Sequence, residues 1–297
     1  RSMQNLIKRT ILWFVAVPAL VAIILLLPHQ NHLALNAIVV AASALGASEL
    51  AGFFERRDAA YRASFVTIPL LGAALPLTQV AVVNALLPQH AVQIVLYAVA
   101  GIILFLQIFR REDEGFAFTL SNAAANITLL VYPGLFLSYV VRLGEFSNAG
   151  PLILTFLCMV FFNDTMAYLV GMLYRSIRER LAKRAGRTWK PRIVLPVSPN
   201  KTIAGFAGGL AAAPVTLVLA HLLFPATIPG EPGRLVLIGL AVGVATIMGD
   251  LIESALKRSA TRKDSGSIIP GRGGILDSID SVLYAAPVFY YLLRYAL

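Results

Sequence analysis

Residues 235–256 read LVLIGLAVGVATIMGDLIESAL. The run carries no charge until Asp250, and Glu253 follows one helical turn later. A helix needs about 20 mostly apolar residues to cross the hydrocarbon of a bilayer, and this run supplies them. It reads as a membrane span with two carboxylates at one end. The same ruler finds further spans at 11–27, 33–54, 65–87, 92–109, 116–141, 151–174, 203–224 and 276–293. Strands of a membrane barrel would alternate over segments of about ten residues, and the sequence has no such pattern. The expected fold is therefore all-α, a polytopic membrane protein of about nine transmembrane helices. Its first run is long and is followed by other spans, unlike a cleaved signal. Arg1-Ser2 ahead of Met3 reads as a cloning remnant.

Composition agrees. Of 297 residues, 58% are hydrophobic and 13% charged, and mean hydropathy is +0.76. Soluble domains carry roughly a quarter charged residues. So apolar a chain is not disordered, and Cys158, its single cysteine, excludes a disulfide scaffold. His29, His32, His90 and His221 fall towards one surface, away from Cys158, which leaves a Cys/His zinc site without support. The net charge of +10 would suggest nucleic acid in a soluble domain. Here the basic residues sit between spans, and no nucleic-acid partner is expected.

Their placement sets the orientation. With the N-terminus in the cytoplasm, every Lys and Arg falls on the cytoplasmic side except Arg142, Arg234 and Arg294. That is the positive-inside pattern, and it puts the C-terminus on the opposite side. The excess charge then meets anionic headgroups of membrane lipids.

Carboxylates inside apolar runs are costly, and their default reading is functional. Six qualify: Glu49, Asp164, Asp250, Glu253, Asp277 and Asp280. Glu55, Asp58, Glu112, Asp113 and Glu114 lie among arginines and read as solvated loop charges. Asp250 and Glu253 share one helix face, with Ser254 beside them. Asp277 and Asp280 repeat that spacing where the last span begins. Between the pairs lies KRSATRKDSGSIIPGRGG, basic and then glycine-rich, with Asp264 inside it. Paired carboxylates could hold a hard divalent cation, and such a loop could hold phosphates. Interhelical salt bridges, or a local pair of Glu253 with Lys257, are the bland alternative. Glu49 has no obvious partner in sequence.

Two more segments face the same side. FFNDTMAY sets Asn163 and Asp164 inside the sixth span, and VSPNKTIAGFAGG sets Ser198, Lys201 and Thr202 at the start of the seventh. A helix N-terminus with Lys and Thr in its first turn is an anion site or an ordinary N-cap. Gly205, Gly208 and Gly209 read as close-packing positions. RSIRERLAKRAGRTWKPR could form an interfacial helix with Trp189 near the headgroups, or a solvated loop.

The run from Ser254 to Asp280 resembles the signature of phosphatidate cytidylyltransferases, or CDP-diacylglycerol synthases. It carries Ser254, Lys257, Arg258, Lys263, Asp264, Pro270, Gly271, Gly273, Gly274, Asp277 and Asp280 at the family's spacing. Gly249-Asp250 and Glu253 match its lead-in. Ser198-Pro199, Lys201-Thr202 and the Asp164 span resemble other family segments. Two positions depart: the family's His in the glycine-rich turn is Arg272, and its Arg between the last aspartates is Ser278.

The resemblance implies that CTP and phosphatidic acid give CDP-diacylglycerol and pyrophosphate at a cytoplasm-facing site in the inner membrane of a bacterium. It implies Mg²⁺, as one ion or two, the second divalent or monovalent, with Asp250, Asp277, Asp280 and Asp264 as ligands. Those four and Lys263 would carry the chemistry. Ser198, Lys201, Thr202, Ser254, Lys257, Arg258, Arg272, Gly273, Gly274, Asn163, Asp164 and Glu253 would bind substrate. The expected division is a scaffold at 1–145 and a catalytic region at 146–297 within one membrane domain, assembling as a homodimer. The rivals are a CTP-dependent polyprenol or phytol kinase and, from another class, an ion-coupled transporter. A transporter would show repeats in both halves, and the acids concentrate in one.

Overall fold

The computed structural model describes residues 2–57, 61, 66–109, 118–189, 195–271 and 273–296. Among them stand ten α-helices: α1 (Ser2–Leu26), α2 (His29–Arg57), α3 (Thr67–Val83), α4 (Ala91–Phe105), α5 (Thr119–Leu129), α6 (Phe136–Arg142), α7 (Ala149–Arg184), α8 (Ile203–Leu223), α9 (Pro232–Ser259) and α10 (Leu276–Ala296). The described residues form no strand, only one antiparallel bridge between Ile269 and Gly273.

Six helical stretches among the described residues are long and apolar enough to cross a membrane: His29–Arg57, Ala91–Phe109, Thr119–Glu145, Ala149–Arg184, Ile203–Leu223 and Pro232–Ser259. Two other expected spans appear as the shorter apolar helices Phe14–Leu26 and Thr67–Val83. The last, α10, begins with Asp277, Ser278, Asp280 and Ser281, which dilute its apolar character.

Two local features depart from expectation. The stretch after Tyr174 does not begin a new interfacial helix. α7 runs on to Arg184, because no glycine or proline follows Tyr174 until Gly186 stops the helix at φ 65°. Trp189 then folds back edge-on to Tyr174, with ring centroids 6.2 Å apart. The fifth span is broken by a π-helical turn over Leu130–Leu135. Pro133 has no N–H to give the carbonyl of Leu129, so the helix widens there.

The chain divides into two compact units, residues 1–153 with 256–279, and residues 154–255 with 280–297. In the first, α2 and α3 approach closely at Gly72, where a Cβ would stand 2.5 Å from the carbonyl oxygen of Ser43. The Ser43 hydroxyl donates to the carbonyls of Gly72 at 2.7 Å and Pro133 at 2.9 Å. Leu75, Val82, Val92, Ile103 and Leu130 form a core beside them. In the second unit, Phe156 of α7 stacks on Phe289 of α10, with centroids 5.2 Å apart. The three glycines of α8 are packing positions. Side chains there would strike the Ala167 carbonyl, Val170 and Asn163.

Candidate active site

The second unit holds a cavity of about 710 Å³ lined by α7, the start of α8 and α9. Its polar lining includes Asn163, Asp164, Arg175, Lys201, Thr202 and Asp250. Local sequence explains each position. The Thr202 hydroxyl caps α8, accepting from the Gly205 N–H at 3.0 Å, as a Thr at the N-cap does. The preceding turn is closed by Lys201 N–H donating to the Ser198 carbonyl at 3.1 Å and by the Arg175 guanidinium donating to the carbonyl of Asn200. Lys201 is thereby aimed across the cavity at Asp250, with which it forms a salt bridge. Its ammonium also lies 5.7 Å from the centre of the Phe206 ring, a cation–π distance. Ser254 donates to the other Asp250 oxygen at 3.4 Å.

Asn163 is fully buried. Its amide donates to the Gly243 carbonyl at 3.3 Å, so it clamps α7 to α9 as well as lining the cavity floor. Glu253 is fully buried in α9, away from the cavity lining. Asp280 turns its carboxylate to the N–H of Ser281 at 2.6 Å, and its carbonyl lies against Gly249, where a Cβ would come within 2.4 Å.

The first unit holds the signature loop. Asp277 is its centre: Lys257 Nζ reaches Oδ1 at 2.7 Å. Its Oδ2 accepts from the Ser265 N–H at 2.8 Å, the Ser265 hydroxyl at 2.9 Å and the Gly274 N–H at 2.8 Å. The Gly273 N–H is also engaged, donating to the Ile269 carbonyl at 3.1 Å. The amides of Gly273 and Gly274 are thus turned into the loop. Lys263 and Asp264 are exposed. Arg258 is exposed too, donating to the Arg262 carbonyl at 3.2 Å. Arg272 lies outside the described residues. Ser278 donates to the Gly274 carbonyl at 3.3 Å.

One residue left without an assigned role by sequence sits at this loop. Glu49 of α2 accepts from the Ser265 hydroxyl at 2.8 Å and from the N–H groups of Ile275 at 3.0 Å and Leu276 at 2.9 Å. Its burial in an apolar run was the only signal for it. Arg175, Asn200 and Phe206 carried none.

Each unit therefore presents an aspartate facing a cation, Asp250 with Lys201 and Asp277 with Lys257. Among the described residues no three His, Cys, Asp or Glu side chains gather as metal ligands would. Mg²⁺ takes one or two carboxylates and completes its shell with water and substrate phosphates, so it does not require such a cluster.

A family model described as the cytidylyltransferase family matches residues 7–296. The chain belongs to the cytidylyltransferase family. Membership makes it an enzyme of the nucleotidyltransferase class. Among individual relatives, the phosphatidate cytidylyltransferase of Bacillus subtilis (strain 168) is 34% identical over 202 residues, 68% of this chain and 67% of the relative. That of Staphylococcus aureus (strain COL) is 32% identical over 238 residues, 77% of this chain and 80% of the relative. An uncharacterized protein of Escherichia coli (strain K12), YnbB, is 33% identical over 192 residues, covering 64% of this chain and 58% of that protein. Within this cytidylyltransferase the family match takes in both the cavity of the second unit and the loop of the first.

Proposed function

We propose that this chain joins CTP to phosphatidate, giving CDP-diacylglycerol and pyrophosphate, at the cytoplasmic face of a bacterial inner membrane. The observation that carries the reading is the cavity whose lining brings Lys201, Arg175 and Thr202 together with Asp250 and Asp164. It offers cations for phosphates and carboxylates for a metal, on helices apolar enough to lie in a bilayer. The names of the relatives supply the lipid substrate. Nine spans with the N-terminus inside remain our topology, supported by the distribution of Lys and Arg.

The reaction balances without a covalent enzyme intermediate. An oxygen of the lipid phosphate attacks the α-phosphorus of CTP. The bond from that phosphorus to the bridging oxygen breaks, and pyrophosphate leaves with the electron pair. The attacking phosphate is already ionised at neutral pH, so the chain need not supply a strong base. What it supplies is charge and position. Lys201 holds a substrate phosphate in the cavity, and Lys257, Arg258, Lys263 and Arg272 hold phosphates at the loop. Asp250 would hold Mg²⁺ in the cavity, with Asp280 a further carboxylate of that unit, and Asp277 would hold it at the loop, with Asp264 as a further carboxylate there. The ion would offset the charge of the phosphates.

The test is the lipid product. Purified protein supplied with CTP, phosphatidate and Mg²⁺ should form CDP-diacylglycerol, chelation should stop it, and restored Mg²⁺ should recover it. Formation of the product at full rate in chelator would overturn the metal assignment.

A further inference from the structure

We propose that Glu49 is a positioning residue for the signature loop, setting its affinity for nucleotide from a helix more than 200 residues away. The inference rests on the reading that this loop handles the phosphates of CTP.

The Glu49 carboxylate is 9% exposed and binds the loop at both ends. At one end it takes the hydroxyl of Ser265. At the other it takes the N–H groups of Ile275 and Leu276, donors left over at the start of α10, where negative charge is favoured. One carboxylate thus closes the loop from 265 to 276. The Ser265 hydroxyl lies between two carboxylates, 2.8 Å from Glu49 Oε2 and 2.9 Å from Asp277 Oδ2. It has one proton to give. Glu49 therefore sets how Ser265 is shared with Asp277, and through Asp277 how Lys257 is held.

The sequence keeps room for this carboxylate. A Cβ on Gly266 would stand 2.4 Å from Glu49 Oε1, and one on Gly274 2.2 Å from Oε2. Two glycines of the loop are shaped around a residue of α2. A brace for α10 alone would need only Ile275 and Leu276. The reach to Ser265 ties the brace to the residue that shapes Asp277.

The full chain in lipid nanodiscs provides the test. Glu49→Gln keeps the shape but sets an amide against two N–H donors. Hydrogen exchange at Ile275 and Leu276 should rise. KM for CTP should rise about 10- to 100-fold, the scale of losing a hydrogen bond to a charged group. KM for phosphatidate should stay within about twofold. Ser265→Ala, which leaves the N–H bonds to Glu49 in place, should move KM for CTP in the same direction by less. Equal losses on both substrates with a lowered Tm would make Glu49 a structural brace and overturn the proposal, as would unchanged exchange and KM. Equilibrium binding of CTP separates this proposal from the reaction. A wild-type chain that makes no CDP-diacylglycerol, yet binds CTP more tightly than Glu49→Gln does, sinks the reaction and keeps the loop's role. Equal or absent CTP binding by both proteins overturns the role of Glu49.

Discussion

Asp250 faces Lys201 with one oxygen and Ser254 with the other, and Lys201 rests on the ring of Phe206. The aspartate keeps the lysine in the cavity, and the aromatic ring limits where it can swing. Replacing Asp250 with Asn removes the charge and keeps the shape. Turnover should fall by about 100-fold or more, the scale of losing one preorganised charge-stabilising group. Steady-state kinetics at saturating CTP and Mg²⁺ checks this, and near-normal kcat would remove Asp250 from the chemistry. Arg272 and Ser278 invite a cycle: Arg272→His alone should lose activity that Ser278→Arg restores, whereas additive effects would mean that the two sites act independently. The residues legible from sequence were those whose chemistry conflicts with their surroundings, such as Asp164, Asp250 and Asp277 in apolar runs. Glu49 was legible as an oddity, but its partner Ser265 lies 216 residues on, and nothing in the sequence joins the signature loop to α2.

At the level of elements, small residues decide how closely helices approach. Gly239 of α9 meets Pro214 of α8 so tightly that a Cβ would stand 2.3 Å from the proline Cα. Backbone cannot move aside as a flexible side chain can. Gly239→Ala should destabilise the protein by about 1–3 kcal/mol, read as a Tm lowered by several degrees in thermal unfolding, and an unchanged Tm would show that the helices separate freely. Hydrophobic runs placed most helices correctly, because length and apolarity are local properties. They did not foretell the turn at Leu130–Leu135. Nor did they foretell that α7 would continue through its basic tail. The first depends on the N–H that Pro133 lacks and the second on the absence of glycine and proline between Tyr174 and Gly186, matters that hydropathy does not register.

For the whole molecule, the charge distribution predicts an orientation. In a Cys158→Ser background, Gly186→Cys lies in the basic connection after α7 and Pro225→Cys in the turn after α8. Both native positions are exposed. A membrane-impermeant maleimide added to intact cells should label the cysteine at 225 and reach the one at 186 only after permeabilisation. The opposite pattern would invert the topology. The central claim is one of bond choice at the α-phosphorus of CTP, and the nucleotide product reports it. With phosphatidate and Mg²⁺, the purified protein should release pyrophosphate in equal amount to CDP-diacylglycerol formed. Release of CDP in its place would show attack at the γ-phosphorus and contradict the account.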